Sequence, residues 1–152
     1  MKEVFDNTAA TSRDTRPQWR ATEPRSKVLI VDDDAAVTQQ LFWSLCDEFE
    51  VWAAHDLGSA VRRATIYEPD IVLLDLHLPP TPDAPATGLR ILEYVKGRLP
   101  ASKVFVISAA AGPEVRAECR RRGADDFFGK PMDVERLLSE VRGAARGSRP
   151  ES

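Results

Sequence analysis

Three short runs of uninterrupted aliphatic and β-branched residues each end at a polar side chain. Val28-Leu29-Ile30-Val31 stops at Asp32, Ile71-Val72-Leu73-Leu74 at Asp75, and Val104-Phe105-Val106-Ile107 at Ser108. A strand with one wet face alternates apolar with polar residues. These runs do not alternate, so they suit strands covered on both faces, as in a parallel sheet flanked by helices. Val51 to Ala54 and Phe127-Phe128 are weaker strand candidates.

Helical periodicity fills the gaps. Leu57, Ala60, Val61 and Ala64 recur at i, i+3, i+4, i+7, as do Val134, Leu137, Leu138 and Val141. Val37, Leu41 and Leu45 mark another helix, and Leu92, Val95 and Leu99 a fourth. Residues 113–122 read as helix with a thin apolar stripe, Val115 and Cys119, with Gly123 as a C-terminal stop. The result is five β-α units, which predicts a parallel sheet with helices on both faces and right-handed crossovers.

Composition bounds the function. The 152 residues suffice for one domain with a proper core. The first 25, polar with Pro17 and Pro24, read as a flexible extension in which Trp19 is a lone exposed aromatic; residues 26–146 form the domain and 147–152 a short tail. A net charge of −3 is not the strongly basic balance of a nucleic-acid binder. No apolar run reaches the roughly 18 residues of a membrane span, and Met1-Lys2-Glu3 does not open a signal peptide. Cys46 and Cys119 lie in helical patterns, which favours reduced thiols and a cytoplasmic protein.

Ligands of open parallel sheets bind beyond the carboxyl ends of the strands. There this chain carries Asp32, Asp33 and Asp34, then Asp75, then Ser108, with Lys130-Pro131 after the fifth strand. Carboxylates crowded together resist ionising jointly. A hard cation such as magnesium relieves this and prefers oxygen ligands. One carboxylate can then act as a nucleophile toward phosphorus. Phosphoryl transfer asks mainly for positioning and positive charge around the moving oxygens. The metal, Lys130, and the Ser108 hydroxyl with nearby amides would each take one oxygen, and the small Ala109 leaves the approach to Asp75 open.

The stretches Val28 to Asp34, Ile71 to Pro79, Val106 to Ala109 and Phe127 to Pro131 together resemble bacterial response-regulator receivers, over roughly residues 26–146. The resemblance implies a flavodoxin-like (βα)5 three-layer fold, an α/β sandwich with sheet order 2-1-3-4-5. It implies a two-component phosphorelay protein in which Asp75 is the phosphoacceptor. Magnesium (or manganese) would be held by Asp33, Asp75 and the His77 backbone carbonyl, with Asp32 acting through a water. Ser108 and Lys130 would contact the phosphoryl group, with Lys130-Pro131 in a cis peptide, and Phe127 would be the aromatic switch. The donor would be a phosphohistidine on a sensor histidine kinase or a histidine phosphotransfer protein. On phosphorylation Ser108 moves toward the phosphate and Phe127 into the space vacated. That changes the effector face built from helix 113–122, strand 125–128 and helix 133–145. A homodimer is left open. The chain is expected to assist only its own phosphorylation and dephosphorylation, and so not to be an enzyme for an external substrate.

Two departures stand out. Thirteen positions separate Asp75 from Gly88, which opens the next helix, a longer span than is usual in the family. The proline-rich insert 80–87 is stiff for its length, and with Leu78-Pro79-Pro80 resembles receivers heading some sigma-54-dependent activators. Phe127 replaces the commoner tyrosine.

Blander readings compete. Asp34 could simply cap a helix. Arg120-Arg121-Arg122 suits a solvated helix end rather than a nucleic-acid site, and Trp43 and Trp52 read as packing residues. A side-chain metal role for His77 is disfavoured because only His55 could join it, and nothing in the sequence fixes His55 nearby. Three other functions remain as alternatives. The chain could be a fragment or partner of a DNA-binding regulator, although no room follows residue 146 for a helix-turn-helix. It could be an aspartate-nucleophile phosphatase of the haloacid dehalogenase type, although its best nucleophile follows the third strand. It could be a docking module that takes no phosphate, although Asp33, Asp75, Ser108 and Lys130 are all intact.

Overall fold

The computed structural model describes residues 25–79, 85–109 and 112–148. Five units follow one another: β1 (Lys27–Val31), α1 (Ala35–Leu45), β2 (Glu50–Ala54), α2 (Leu57–Tyr67), β3 (Ile71–Leu74), α3 (Ala86–Arg98), β4 (Lys103–Ser108), α4 (Pro113–Arg121), β5 (Asp126–Gly129) and α5 (Val134–Ser148). All strand pairs are parallel, and the sheet order is β2-β1-β3-β4-β5. The flavodoxin-like order implied by the resemblance is the one found.

Burial explains why the middle of each central strand is apolar without alternation. Val28, Ile30, Ile71, Leu73, Phe105, Ile107 and Phe128 point to one face, where α1 and α5 cover them with Leu41, Leu45, Leu137 and Val141. Leu29, Val31, Val72, Leu74, Val104 and Val106 point to the other, under α2, α3 and α4. Successive side chains of a strand alternate faces, so two covered faces demand continuous hydrophobicity. Each fully buried aliphatic side chain contributes about 1.5–3 kcal/mol.

Local signals end the elements where the chemistry of the chain asks. The Asp34 carboxylate accepts from the Ala36 and Val37 amides and caps α1. Asp56 and Ser59 form a reciprocal capping box on α2. Gly123 follows α4 at φ 104°, the left-handed conformation that stops a helix at low cost. α4 has one buried residue, Cys119, as its thin stripe foretold.

Several expectations need correction. Trp43 is not a packing residue: it is 60% exposed, because α1 turns Leu41, Phe42 and Leu45 inward instead. Trp52, by contrast, packs as expected: it lies half-buried against the core and stacks on Tyr67 with ring centroids 4.3 Å apart. Gly88 does not open α3, which starts two residues earlier at Ala86. A Cβ at Gly88 would lie 2.3 Å from the Leu76 Cα, so the glycine permits α3 to press against the segment following Asp75. α5 continues to Ser148, past the expected start of the tail at Gly147. Trp19 and the rest of the extension before Arg25, residues 80–84 of the insert, and residues 149–152 lie outside the described residues.

Candidate functional site

The parallel ladder continues beyond the strands and sets the site. The Asp32 amide donates to the Ala54 carbonyl at 3.1 Å, Asp75 to Val31 at 2.8 Å, and Lys130 to Ser108 at 3.1 Å. Residues from β1, β3, β4 and β5 are therefore held at one rim by backbone hydrogen bonds, independent of their side chains.

Asp32, Asp33 and Asp75 offer carboxylate oxygens that all lie within 4.8 Å of one another. Asp32 and Asp75 are buried, whereas Asp33 faces solvent. Lys130 reaches in from β5, its Nζ 3.0 Å from Asp32 Oδ2 and 3.5 Å from Asp75 Oδ2. Burial pushes the Asp32 carboxyl above its ordinary value. The Asp34 amide, which donates to Oδ1 at 2.9 Å, and Lys130 work against that shift, while the charge of Asp75 adds to it. Burial tends to lower the Lys130 ammonium, but hydrogen bonding and charge from Asp32, joined by the charge of Asp75, raise it overall. The ammonium is thus held firmly in its charged form.

Three acids and one ammonium leave the rim net negative. Crowded oxygens, two of them on buried carboxylates, fit a small hard divalent cation, which favours oxygen donors and tolerates remaining waters.

Ser108 is 1% exposed, and its Oγ lies 3.3 Å from His77 Nδ1. The His77 amide donates to Asp75 Oδ1 at 3.2 Å. The imidazole therefore engages the hydroxyl while the backbone of the same residue engages the acceptor. The Lys130-Pro131 peptide is cis, as the resemblance implied. Phe127 is half-buried, with the Arg116 guanidinium 4.7 Å from its ring centroid.

The sequence reading missed His55. Its Nδ1 lies 3.3 Å from the Asp32 carbonyl, so it is fixed beside the rim after all, by the backbone of an acid rather than by a carboxylate. The signal was available: His55 directly follows β2, just as Asp32 follows β1, with Val31 and Ala54 paired. Thr38 was also missed; its hydroxyl donates to the Asp34 carbonyl at 2.9 Å and braces the turn that carries the acids.

The response regulator receiver domain family matches residues 28–142. The chain belongs to that family. It is 31% identical over 126 residues to the response regulator MprA of Mycobacterium tuberculosis, covering 82% of this chain and 53% of MprA. The cell cycle response regulator CtrA of Brucella ovis is 30% identical over 125 residues, covering 81% of this chain and 51% of CtrA. This receiver therefore spans about half the length of the curated relatives it matches. Among solved structures, the receiver domain of NtrX from Brucella abortus is 30% identical with TM-score 0.70, over 78% of this chain and 98% of that one. A CheY-like receiver from Methanospirillum hungatei, 24% identical with TM-score 0.75 over 82% of this chain and 96% of that one, shares the fold. The chain is thus a response regulator receiver of two-component signalling. Among the described residues, no helix is long and apolar enough to cross a membrane.

Proposed function

We propose that this receiver takes a phosphoryl group on Asp75 from a phosphohistidine of a sensor histidine kinase or histidine phosphotransfer protein. The observation that carries this is the convergence of a buried Asp75 carboxylate, a Lys130 ammonium at 3.5 Å, and the Asp32 and Asp33 carboxylates within 4.8 Å. Asp33, Asp75 and the His77 carbonyl would hold magnesium or manganese, with Asp32 acting through a water. The ion, when bound, supplies positive charge to the phosphoryl oxygens.

The chain's own groups do the rest. An Asp75 oxygen bonds to phosphorus as the P–N bond to the donor breaks, and the electron pair leaves with the donor's imidazole. Lys130, already charged and poised between Asp32 and Asp75, turns its ammonium to a phosphoryl oxygen. Ser108 exchanges His77 for another phosphoryl oxygen. Its movement opens room toward which Phe127 shifts, altering the face of α4, β5 and α5. Among the helices α4 buries the fewest described residues, Cys119 alone, which suits it to shift.

An effector reads that face, in this chain or in a separate one. The half-length match to MprA and CtrA supports the receiver being one module of a larger system. No external substrate is turned over. A cytoplasmic setting agrees with the two buried cysteines, Cys46 and Cys119.

Incubating the protein with magnesium and acetyl phosphate, then weighing it intact, tests the proposal. One added phosphoryl mass is expected, absent from Asp75→Ala. No gain in the parent, or an equal gain in the variant, overturns it.

A further inference from the structure

His55 holds a place in the sheet that a backbone amide would otherwise fill. In a parallel ladder each strand gives an amide to its neighbour and takes one from it at even spacing. β1 and β2 keep this pattern as far as the Asp32 amide, which donates to the Ala54 carbonyl at 3.1 Å. The next bond would run from the Asp56 amide to the Asp32 carbonyl. It is not made, because α2 begins there: the Asp56 amide donates to Ser59 Oγ at 3.3 Å, and the Ser59 amide to the Asp56 carboxylate at 2.8 Å. The imidazole of His55 comes in instead, its Nδ1 3.3 Å from the Asp32 carbonyl oxygen. A carbonyl only accepts, so Nδ1 is the donor, whether the ring is neutral or charged. The His55 amide itself donates to the Ser59 hydroxyl at 3.1 Å, which ties the residue to the α2 cap.

Little else serves that carbonyl. Asp32 is buried, so water reaches it poorly. Among the described residues the other donor is the Thr38 hydroxyl at 3.4 Å, which has one proton and a closer acceptor in the Asp34 carbonyl at 2.9 Å. A buried carbonyl without a donor is costly, so the peptide would turn to find one. That peptide leads to Asp33. Because the unit is planar, the direction of the Asp32 carbonyl sets where the Asp33 backbone goes. Asp33 has the least to hold it. The Asp34 amide and Lys130 engage the Asp32 carboxylate, and the His77 amide and Lys130 engage that of Asp75. Asp33 is exposed, and among the described residues no hydrogen bond reaches its carboxylate.

We propose that His55 is a positioning residue for the divalent cation. By donating to the Asp32 carbonyl it sets the Asp32–Asp33 peptide, so that the Asp33 carboxylate stands within 4.8 Å of those of Asp32 and Asp75 before an ion arrives. The role rests on the assignment of a cation to this rim. His55 touches neither the ion nor the phosphoryl group; it spares the ion the cost of ordering Asp33.

Manganese binding to the full chain, read from the electron paramagnetic resonance of the free ion, is the test. His55→Ala and His55→Phe remove the donor, and each should weaken binding about tenfold. His55→Asn carries an amide N–H on its γ carbon, where the imidazole carries Nδ1, and should bind about as tightly as the parent. A histidine that served stability alone would shift the melting temperature in chelator and leave manganese affinity unchanged. Equal affinity in the parent, His55→Ala and His55→Phe therefore overturns the proposal. So does a His55→Asn variant as weak as His55→Ala, since the donor has been restored. A parent that takes up no manganese overturns the cation assignment itself and this role with it, an outcome distinct from a parent that binds and variants that match it.

Discussion

Replacing Asp75 with asparagine isolates the electrostatics of the rim. The Asp75 side chain is 8% exposed, with Oδ2 3.5 Å from Lys130 Nζ and an oxygen within 4.8 Å of one on Asp32 and one on Asp33. At an effective dielectric constant of about 20, the 3.5 Å attraction to Lys130 amounts to about 4.7 kcal/mol. The repulsion from Asp32, at 4.8 Å or closer, is at least about 3.5 kcal/mol on the same basis. Exposed Asp33 adds a screened amount of the same sign. The pair terms nearly cancel, so the cost of taking a carboxylate out of water is opposed chiefly by the one hydrogen bond from the His77 amide at 3.2 Å, which an asparagine oxygen can also accept. Asparagine keeps the shape and drops the charge. Without divalent cations Asp75→Asn should therefore be more stable than the parent, by about 1–2 kcal/mol. In thermal melts that is a rise of roughly 3–10 °C. Magnesium at a hundredfold excess over its dissociation constant should add about 2.7 kcal/mol to the parent. The variant, short of one charged ligand, should gain much less. Melts at neutral pH in chelator and across a magnesium series should consequently cross. A variant less stable than the parent in chelator would refute the electrostatic accounting, and equal magnesium increments would refute the ligand assignment.

Three further outcomes are expected. Gly88→Ala places a methyl 2.3 Å from the Leu76 Cα, so it should cost about 1–3 kcal/mol in urea unfolding; a neutral effect would mean that α3 does not press on that loop. Hydrogen bonds from Arg142 hold the Glu48 carboxyl below its usual 4.5 despite some burial. A depressed carboxyl stabilises the fold above its unfolded value, and the contribution is lost as pH falls through the folded value. Both side chains are more than 40% exposed, so Glu48→Gln should cost only about 0.2–1 kcal/mol at neutral pH. The difference should vanish below the lowered value, and one that persists in acid would exclude the ion pair as its source. His77→Ala releases the Ser108 hydroxyl from its 3.3 Å contact and should speed initial phosphorylation by acetyl phosphate about two- to tenfold; a slower rate in rapid-quench measurements would show the imidazole to be helping rather than competing.

Much of the architecture can be read from residues alone because it is set by local or periodic chemistry. The apolar runs of β1, β3 and β4 announce two covered faces, and Asp34 and Gly123 mark helix ends through interactions spanning a few residues. β2 and β5 gave weaker signals. Each lies at an edge of the sheet, and Trp52 and Phe127 on them are half-buried. The rule that ligands sit beyond strand ends located Asp32, Asp33, Asp75, Ser108 and Lys130 on the correct rim. Applied to β2, the same rule would have found His55.

Contacts between distant segments were not legible in this way. Which helix side faces inward left Trp43 in water, because α1 was already committed through Leu41, Phe42 and Leu45. The approach of Gly88 to Leu76 and the contact between His77 and Ser108 depend on how α3 and β4 sit against β3. The sequence by itself determined the alternation of strands and helices, their caps, and the acids, hydroxyl and ammonium at strand ends, since each follows from neighbours along the chain. Only the tertiary structure decided which of those groups touch, which carboxylates are dehydrated, and which ring occupies Ser108, because distances between side chains from separate strands exist only once the sheet has assembled.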